Sequence, residues 1–134
     1  MMIVVDTSVW AGFFNGADAS HVHRLDAILS EEQEQILLLP LILMEVLQGF
    51  RSDSGFERAK ETMVDLPVHE PSLQTYIDGA RLFRRLRRNG VTVRGAVDCL
   101  IAQVCIETES ELLTADRDFV HIAAHTSLAL ASVS

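Results

Sequence analysis

An α/β fold with a mainly parallel sheet of four or five short strands is what this 134-residue sequence predicts. Two observations predict it, and a third marks a site. Short apolar runs alternate with helix-like stretches, the pattern of a sheet covered by helices. Hydrophobic residues make up 49% of the chain and mean hydropathy is +0.22, which excludes disorder and suits strands buried on both faces. Four carboxylates interrupt or end apolar runs, where an unpaired charge costs several kcal/mol. The length fits a single domain over residues 1–134 with one substantial core, and no repeat, low-complexity segment or linker divides it.

The elements follow in order. Met2–Val5 is a short apolar strand, and Asp6-Thr7-Ser8 opens a helix over residues 9–14. Ser20–Glu31 is a second helix with Val22, Leu25, Ile28 and Leu29 on one face. Residues 36–39 form a buried strand, and Pro40 suits the first turn of a helix that carries Glu45 and ends near Gly49. Ser54-Gly55-Phe56-Glu57 matches a capping box, opening a helix to about Val64. Residues 66–69, with prolines at 67 and 71, read as a short edge strand. A long amphipathic helix over 72–89 has an apolar stripe of Leu73, Tyr76, Ile77, Ala80 and Phe83, and Gly90 fits its C′ position. Ala96–Thr108 is helical and apolar almost all round, hence central. Strand 111–114, a short helix over 117–124 and a last strand over 127–131 complete the pattern.

The net charge of −8 argues at face value against a nucleic-acid partner, but it is unevenly spread. Arg81, Arg84, Arg85, Arg87, Arg88 and Arg94 fall in a stretch with no acid, giving it +6, while the remaining 5 basic and 19 acidic residues leave −14 elsewhere. Such asymmetry points to a polyanionic partner, although a solvated helix face explains the arginines taken alone. Cys99 and Cys105 lie in the apolar helix without metal-ligand spacing and read as core residues. Trp10, Phe13 and Phe14 read as core as well, and none of the five histidines is assigned to catalysis. The longest apolar run, residues 36–44, is too short for a bilayer span of about 20 residues. The N-terminus runs into Ile3-Val4-Val5-Asp6 with no basic region, so a cytoplasmic location is expected.

Asp6, Glu45, Asp98 and Asp116 are the candidate site. In open parallel sheets, sites form outside the carboxyl ends of the strands. Asp6 ends the first strand, Asp116 follows Leu112-Leu113-Thr114-Ala115, and Glu45 lies one to two turns into the helix leaving the second strand. If the first strand and strand 111–114 pair centrally, all four acids reach one cleft. A cluster of carboxylates selects a hard cation, Mg²⁺ or Mn²⁺. Asp6 and Asp116 each also suit a helix cap. Mid-helix Asp98 and Glu45 have no capping role, and their alternative is a buried pair with Arg94 or Arg117.

Val5-Asp6-Thr7-Ser8-Val9-Trp10 resembles the opening motif of PIN-domain ribonucleases. Glu45, Val97-Asp98-Cys99-Leu100-Ile101-Ala102 and Leu113-Thr114-Ala115-Asp116-Arg117-Asp118-Phe119 match that family's other three blocks in order. A free-standing domain of this length, with the basic stretch from Leu86 to Arg94, is similar to the VapC toxins of toxin–antitoxin pairs. The resemblance implies a PIN-like three-layer α/β/α sandwich and an endoribonuclease using one or two Mg²⁺ or Mn²⁺ ions. It implies cleavage of structured RNA, tRNA or rRNA, by a metal-activated water, leaving a 3′-hydroxyl and a 5′-phosphate. It also implies a homodimer held inactive by a VapB-type antitoxin. Carried over residue by residue, Asp6, Asp98 and Asp116 ligate metal, Glu45 ligates it or orients water, and Asp118 is a possible fifth acid. Ser8 and Thr114 supply hydroxyls, and Arg84, Arg85, Arg87, Arg88, Arg94 and Arg117 are candidates for RNA binding. A housekeeping PIN nuclease and a catalytically degenerate PIN binding module remain open as alternatives.

Overall fold

The computed structural model describes residues 2–31 and 34–133. Its elements are β1 (Met2–Val5), α1 (Thr7–Phe14), α2 (Ser20–Glu31), β2 (Gln35–Ile36), α3 (Pro40–Gln48) and α4 (Asp53–Met63). They continue with α5 (Leu73–Arg88), α6 (Ala96–Thr108), β3 (Glu111–Leu113), α7 (Asp118–Ala124) and β4 (Ala129–Leu130). The four strands form one sheet in the order β2-β1-β3-β4, every pair parallel. The fold is α/β and PIN-like, and β1 and β3 pair at its centre as the acids require.

A parallel sheet covered by helices on both faces buries its strands, so their central side chains are apolar. Ile3, Val4, Val5, Leu112 and Leu113 are fully buried. α1 packs on α2 and α3 and α3 on α4, while α5 and α7 both pack on α6. The chain leaves β1 towards one edge of the sheet and leaves β3 towards the other. The switch point between them is where a parallel sheet opens a crevice at its carboxyl ends.

Four local expectations change. The helix expected to start at Ser54 starts at Asp53, capped by Ser52, whose Oγ accepts the Gly55 N–H at 3.1 Å. This register puts Asp53 in the first turn, where an acid favours the helix dipole, and Glu57 pairs with Lys60 instead of closing a capping box. The strand expected over 36–39 is Gln35–Ile36. The edge strand expected over 66–69 is a single parallel bridge, Leu38 to Val68, because Pro67 has no N–H to extend it. The last strand is confined to Ala129–Leu130.

A further change concerns α5. The stripe read as its packing face points outward: Leu73 is 79% exposed, Tyr76 51% and Ile77 41%. The face against α6 is instead Thr75, Gly79, Leu82 and Leu86. The α6 backbone lies against Gly79: a Cβ there would stand at ordinary contact distance, 3.5 Å, from Leu100 Cα. Buried Thr75 satisfies its hydroxyl by donating to Glu107 on α6 at 2.7 Å. Ser72 caps α5 and Gly90 follows it at φ +76°, the left-handed conformation that glycine adopts without steric cost.

Trp10 is fully buried and stacks on Phe14, with Phe13 against its edge. Burial pushes the Cys99 thiol up to about 11 and the Cys105 thiol to about 12. Both stay protonated core residues. Among the described residues no helix is long and apolar enough to cross a membrane.

Candidate active site

The site begins with the register of β1 on β3. The Asp6 N–H donates to the Leu113 carbonyl at 2.9 Å, extending the ladder one residue past β1. This sets Asp6 beside Thr114. Asp6 is 6% exposed and occupies the N-cap position of α1, yet its side chain makes no capping hydrogen bond. Its Oδ2 instead accepts the Ser8 hydroxyl at 2.8 Å and the Thr114 hydroxyl at 2.9 Å. Ser8 also accepts the Ala115 N–H, and Thr114 Oγ1 accepts the Asp116 N–H. Two hydroxyls therefore hold one buried carboxylate and the chain leaving β3 together. Charge-assisted hydrogen bonds of this kind are what make a buried acid tolerable.

Beyond that lie three more acids. Asp98 is in the first turn of α6, Asp118 opens α7, and Asp116 sits in the turn between β3 and α7. One carboxylate oxygen from each lies within 4.8 Å of the others. Asp116 accepts the Asp118 N–H through Oδ1 at 3.0 Å, which fixes the turn. Burial, reinforced by the charges of Asp116, Asp6 and Asp118, pushes Asp98 up to about 6 against the opposing pull of Arg94. An all-oxygen set of half-buried carboxylates is the donor chemistry of a hard divalent cation, and the residues present fit one.

Glu45 stands outside this trio. It projects from α3, and its Oε1 accepts the Thr7 hydroxyl at 3.3 Å. Thr7 follows Asp6 directly, so the link joins Glu45 to the Asp6 side of the site. Sequence reasoning missed Thr7 because a hydroxyl in the first turn of a helix is an ordinary capping residue.

The arginines divide into separate groups. Arg94 is committed to the acids: its Nη2 donates to Asp116 at 2.9 Å and its Nε to Asp118 at 2.8 Å. It is 75% exposed, so this is a solvated clamp and not the buried pair with Asp98 considered from the sequence. Arg84, Arg85 and Arg88 line a groove beside α5, whereas Arg87 lies over the Phe83 ring at 5.4 Å from its centroid. Arg117 is exposed at the start of α7. His121 and His125 line a groove with Arg94 and Asp118, though no sequence signal marked them.

A parallel sheet with acids gathered at its central switch point is an arrangement suited to phosphoryl chemistry, and comparison with known proteins supplies the family. Residues 3–125 match the PIN domain family. The chain is 33% identical over 132 residues to VapC ribonuclease Mb1587 of Mycobacterium bovis, covering 98% of each protein. Its backbone superposes on the VapBC2 structure from Rickettsia felis, solved with a promoter DNA fragment, with a TM-score of 0.77. That match has 18% identity and covers 98% of both chains. VapBC-1 from nontypeable Haemophilus influenzae gives a TM-score of 0.74 at 17% identity, over 99% of this chain and 98% of that one. The protein belongs to the PIN-domain family and, within it, to the VapC ribonucleases.

Proposed function

We propose that the chain is a single PIN domain acting as a divalent-metal-dependent endoribonuclease, the toxin of a pair with a VapB-type antitoxin. The observation that carries this reading is the trio Asp98, Asp116 and Asp118 within 4.8 Å, beside a buried Asp6, in a VapC-family chain. Asp98, Asp116 and Asp118 would hold one or two Mg²⁺ or Mn²⁺ ions, with Asp6 completing the set. Such an ion supplies positive charge to the phosphodiester and lowers the pKa of water. Ser8 and Thr114 fix Asp6, Thr7 orients Glu45, and Glu45 in turn aligns the attacking water. Water adds to phosphorus and the bond to O3′ breaks, leaving a 3′-hydroxyl and a 5′-phosphate on structured RNA, tRNA or rRNA, in the cytoplasm.

Two partners follow from the same reading. The VapB-type antitoxin would mask the acids until it is removed. A second copy of this chain would cover Leu73, Tyr76 and Ile77 on α5, since an exposed apolar patch suits a self-complementary interface.

The test is cleavage of total RNA by protein purified free of antitoxin, with Mn²⁺, Mg²⁺ or EDTA, wild type beside Asp6→Asn. Metal-dependent cuts that vanish in the variant are expected. A folded wild type that cuts nothing with either ion points to the degenerate binding module. The toxin role is separated from a housekeeping one by growth: expression should arrest cells, and co-expression of the product of a small adjoining reading frame should release them.

A further inference from the structure

We propose that the groove lined by Arg84, Arg85 and Arg88 is a second RNA-binding site, which grips the substrate's phosphate backbone beyond the cleavage point and leads it to the acids. This rests on the ribonuclease reading above and extends it to a surface away from the acids.

The helical geometry of α5 creates the groove. With about 100° between successive residues, Arg81, Arg84, Arg85 and Arg88 share one face. Arg87 falls on another, with Tyr76, Ala80 and Phe83. The helix thus packs one face on α6, and its exposed side carries Leu73, Tyr76 and Ile77 in the N-terminal half and the arginines in the C-terminal half. Arg81, Arg84, Arg85 and Arg88 line the groove together with Asp78 and Leu82 of the same helix; its volume is about 710 Å³, and Gln103 of α6 and Ser127 also line it. Arg81 is already held by Asp78 at 2.9 Å. Among the described residues Arg84, Arg85 and Arg88 make no ion pair, and all three are exposed. Three uncompensated guanidiniums within two turns repel one another, and an anion relieves that repulsion.

The shape favours RNA over an acidic protein segment. Asn89 lines this groove and also a second one of about 500 Å³, whose walls include Arg94 and Asp118. The two meet at Asn89, and the second reaches Asp118 of the acid cluster. A nucleic-acid strand cut at the acids has to continue past them, and this path offers guanidiniums for phosphates. Gln103 and Ser127 add neutral hydrogen-bonding groups for ribose or base edges.

The test is binding of fluorescently labelled oligouridylate in EDTA, so that neither metal nor cleavage enters the measurement. The groove variant is Arg84→Gln, Arg85→Gln and Arg88→Gln combined. The control of equal charge is Arg51→Gln, Arg58→Gln and Lys60→Gln combined. The groove variant should lose at least about tenfold in affinity and about two from the salt slope, as expected for three lost phosphate contacts. The control should change affinity less than about twofold. Mn²⁺ binding and thermal midpoint should be unaffected in the groove variant, which shows that the fold and acid site survive. Equal losses in both variants would mean a generic charge effect and overturn the proposal. So would unchanged RNA affinity in the groove variant, including the case where it loses affinity only for polyglutamate. Failure here leaves metal-dependent cleavage standing, and loss of that cleavage leaves binding in EDTA to be judged by itself.

Discussion

Helices α5 and α6 pack against each other and differ sharply in charge. α6 buries six residues, and its one acid in the first turn is Asp98. α5 carries five arginines, all but one of them clear of the core and of any acid site, and buries only Thr75, Gly79, Leu82 and Leu86. Asp98 stands in the first turn of α6 among apolar neighbours, and the structure brings one of its carboxylate oxygens to within 4.8 Å of Asp116 and Asp118. The many charges of α5 have several uses at once, and only the three-dimensional faces separate them. A rare charge in an apolar setting is thus more informative than many charges on an amphipathic one, because burial carries an energetic cost that exposure does not.

The largest expected effect comes from removing the Asp98 charge. Asp98→Asn should lower cleavage and Mn²⁺ affinity by more than about 100-fold, the upper end for losing a mere supporting hydrogen bond at a metal site. The fold should persist. A variant retaining full activity would show that α6 is simply a core helix with a tolerated acid.

Next in size is the apolar face of α5. Ile77→Glu would place a charge in the proposed interface, and light scattering should show a dimer of wild type converted to monomer. A wild type that is monomeric at high concentration would leave that stripe as bare surface. On the basic face the effect is smaller. Arg85→Gln should weaken RNA binding severalfold and reduce the salt slope by about 0.7, one phosphate contact on a single strand. Arg87→Gln, stacked on Phe83, should leave the slope unchanged. The reverse ranking would mean that the faces of α5 have been assigned wrongly.

The smallest effect is a pH dependence specific to Asp98. Its carboxyl is raised from the ordinary 3.8 to about 6 in the fold. Between those values the unfolded chain has given up the proton and the folded chain still holds it. Without metal, this residue therefore favours folding less and less as pH rises through that window, and no further above it. The thermal midpoint of Asp98→Asn minus that of wild type should grow from pH 4 to 6 and then level. A difference that stays flat would place Asp98 in a more solvated setting than its neighbours suggest.

Much of this could be read from the residues alone, for reasons that differ from place to place. Asp6, Asp98 and Asp116 interrupt apolar runs, and the pairing of β1 with β3 follows from two short apolar strands that each end at an acid. The Asp118 contact was harder to see, because an acid two residues after another reads equally well as a turn. Arg94 lies 22 and 24 residues from the carboxylates it clamps, and no local pattern encodes that meeting. On α5 the apolar pattern was real but marked the wrong face. Leu73, Tyr76 and Ile77 carry the bulk that periodicity detects, while the packed face mixes Leu82 and Leu86 with Thr75 and Gly79, which hydropathy does not mark as core. Hydrophobic periodicity does not distinguish a core from an interface.

The account depends above all on the acids binding a divalent cation. Mn²⁺ titrated into metal-free protein and followed by electron paramagnetic resonance tests this directly, with Asp98→Asn measured in parallel. Saturable binding of one or two ions by wild type, lost in the variant, is the predicted result. No saturable binding by the folded wild type, or the same binding by both proteins, would contradict it.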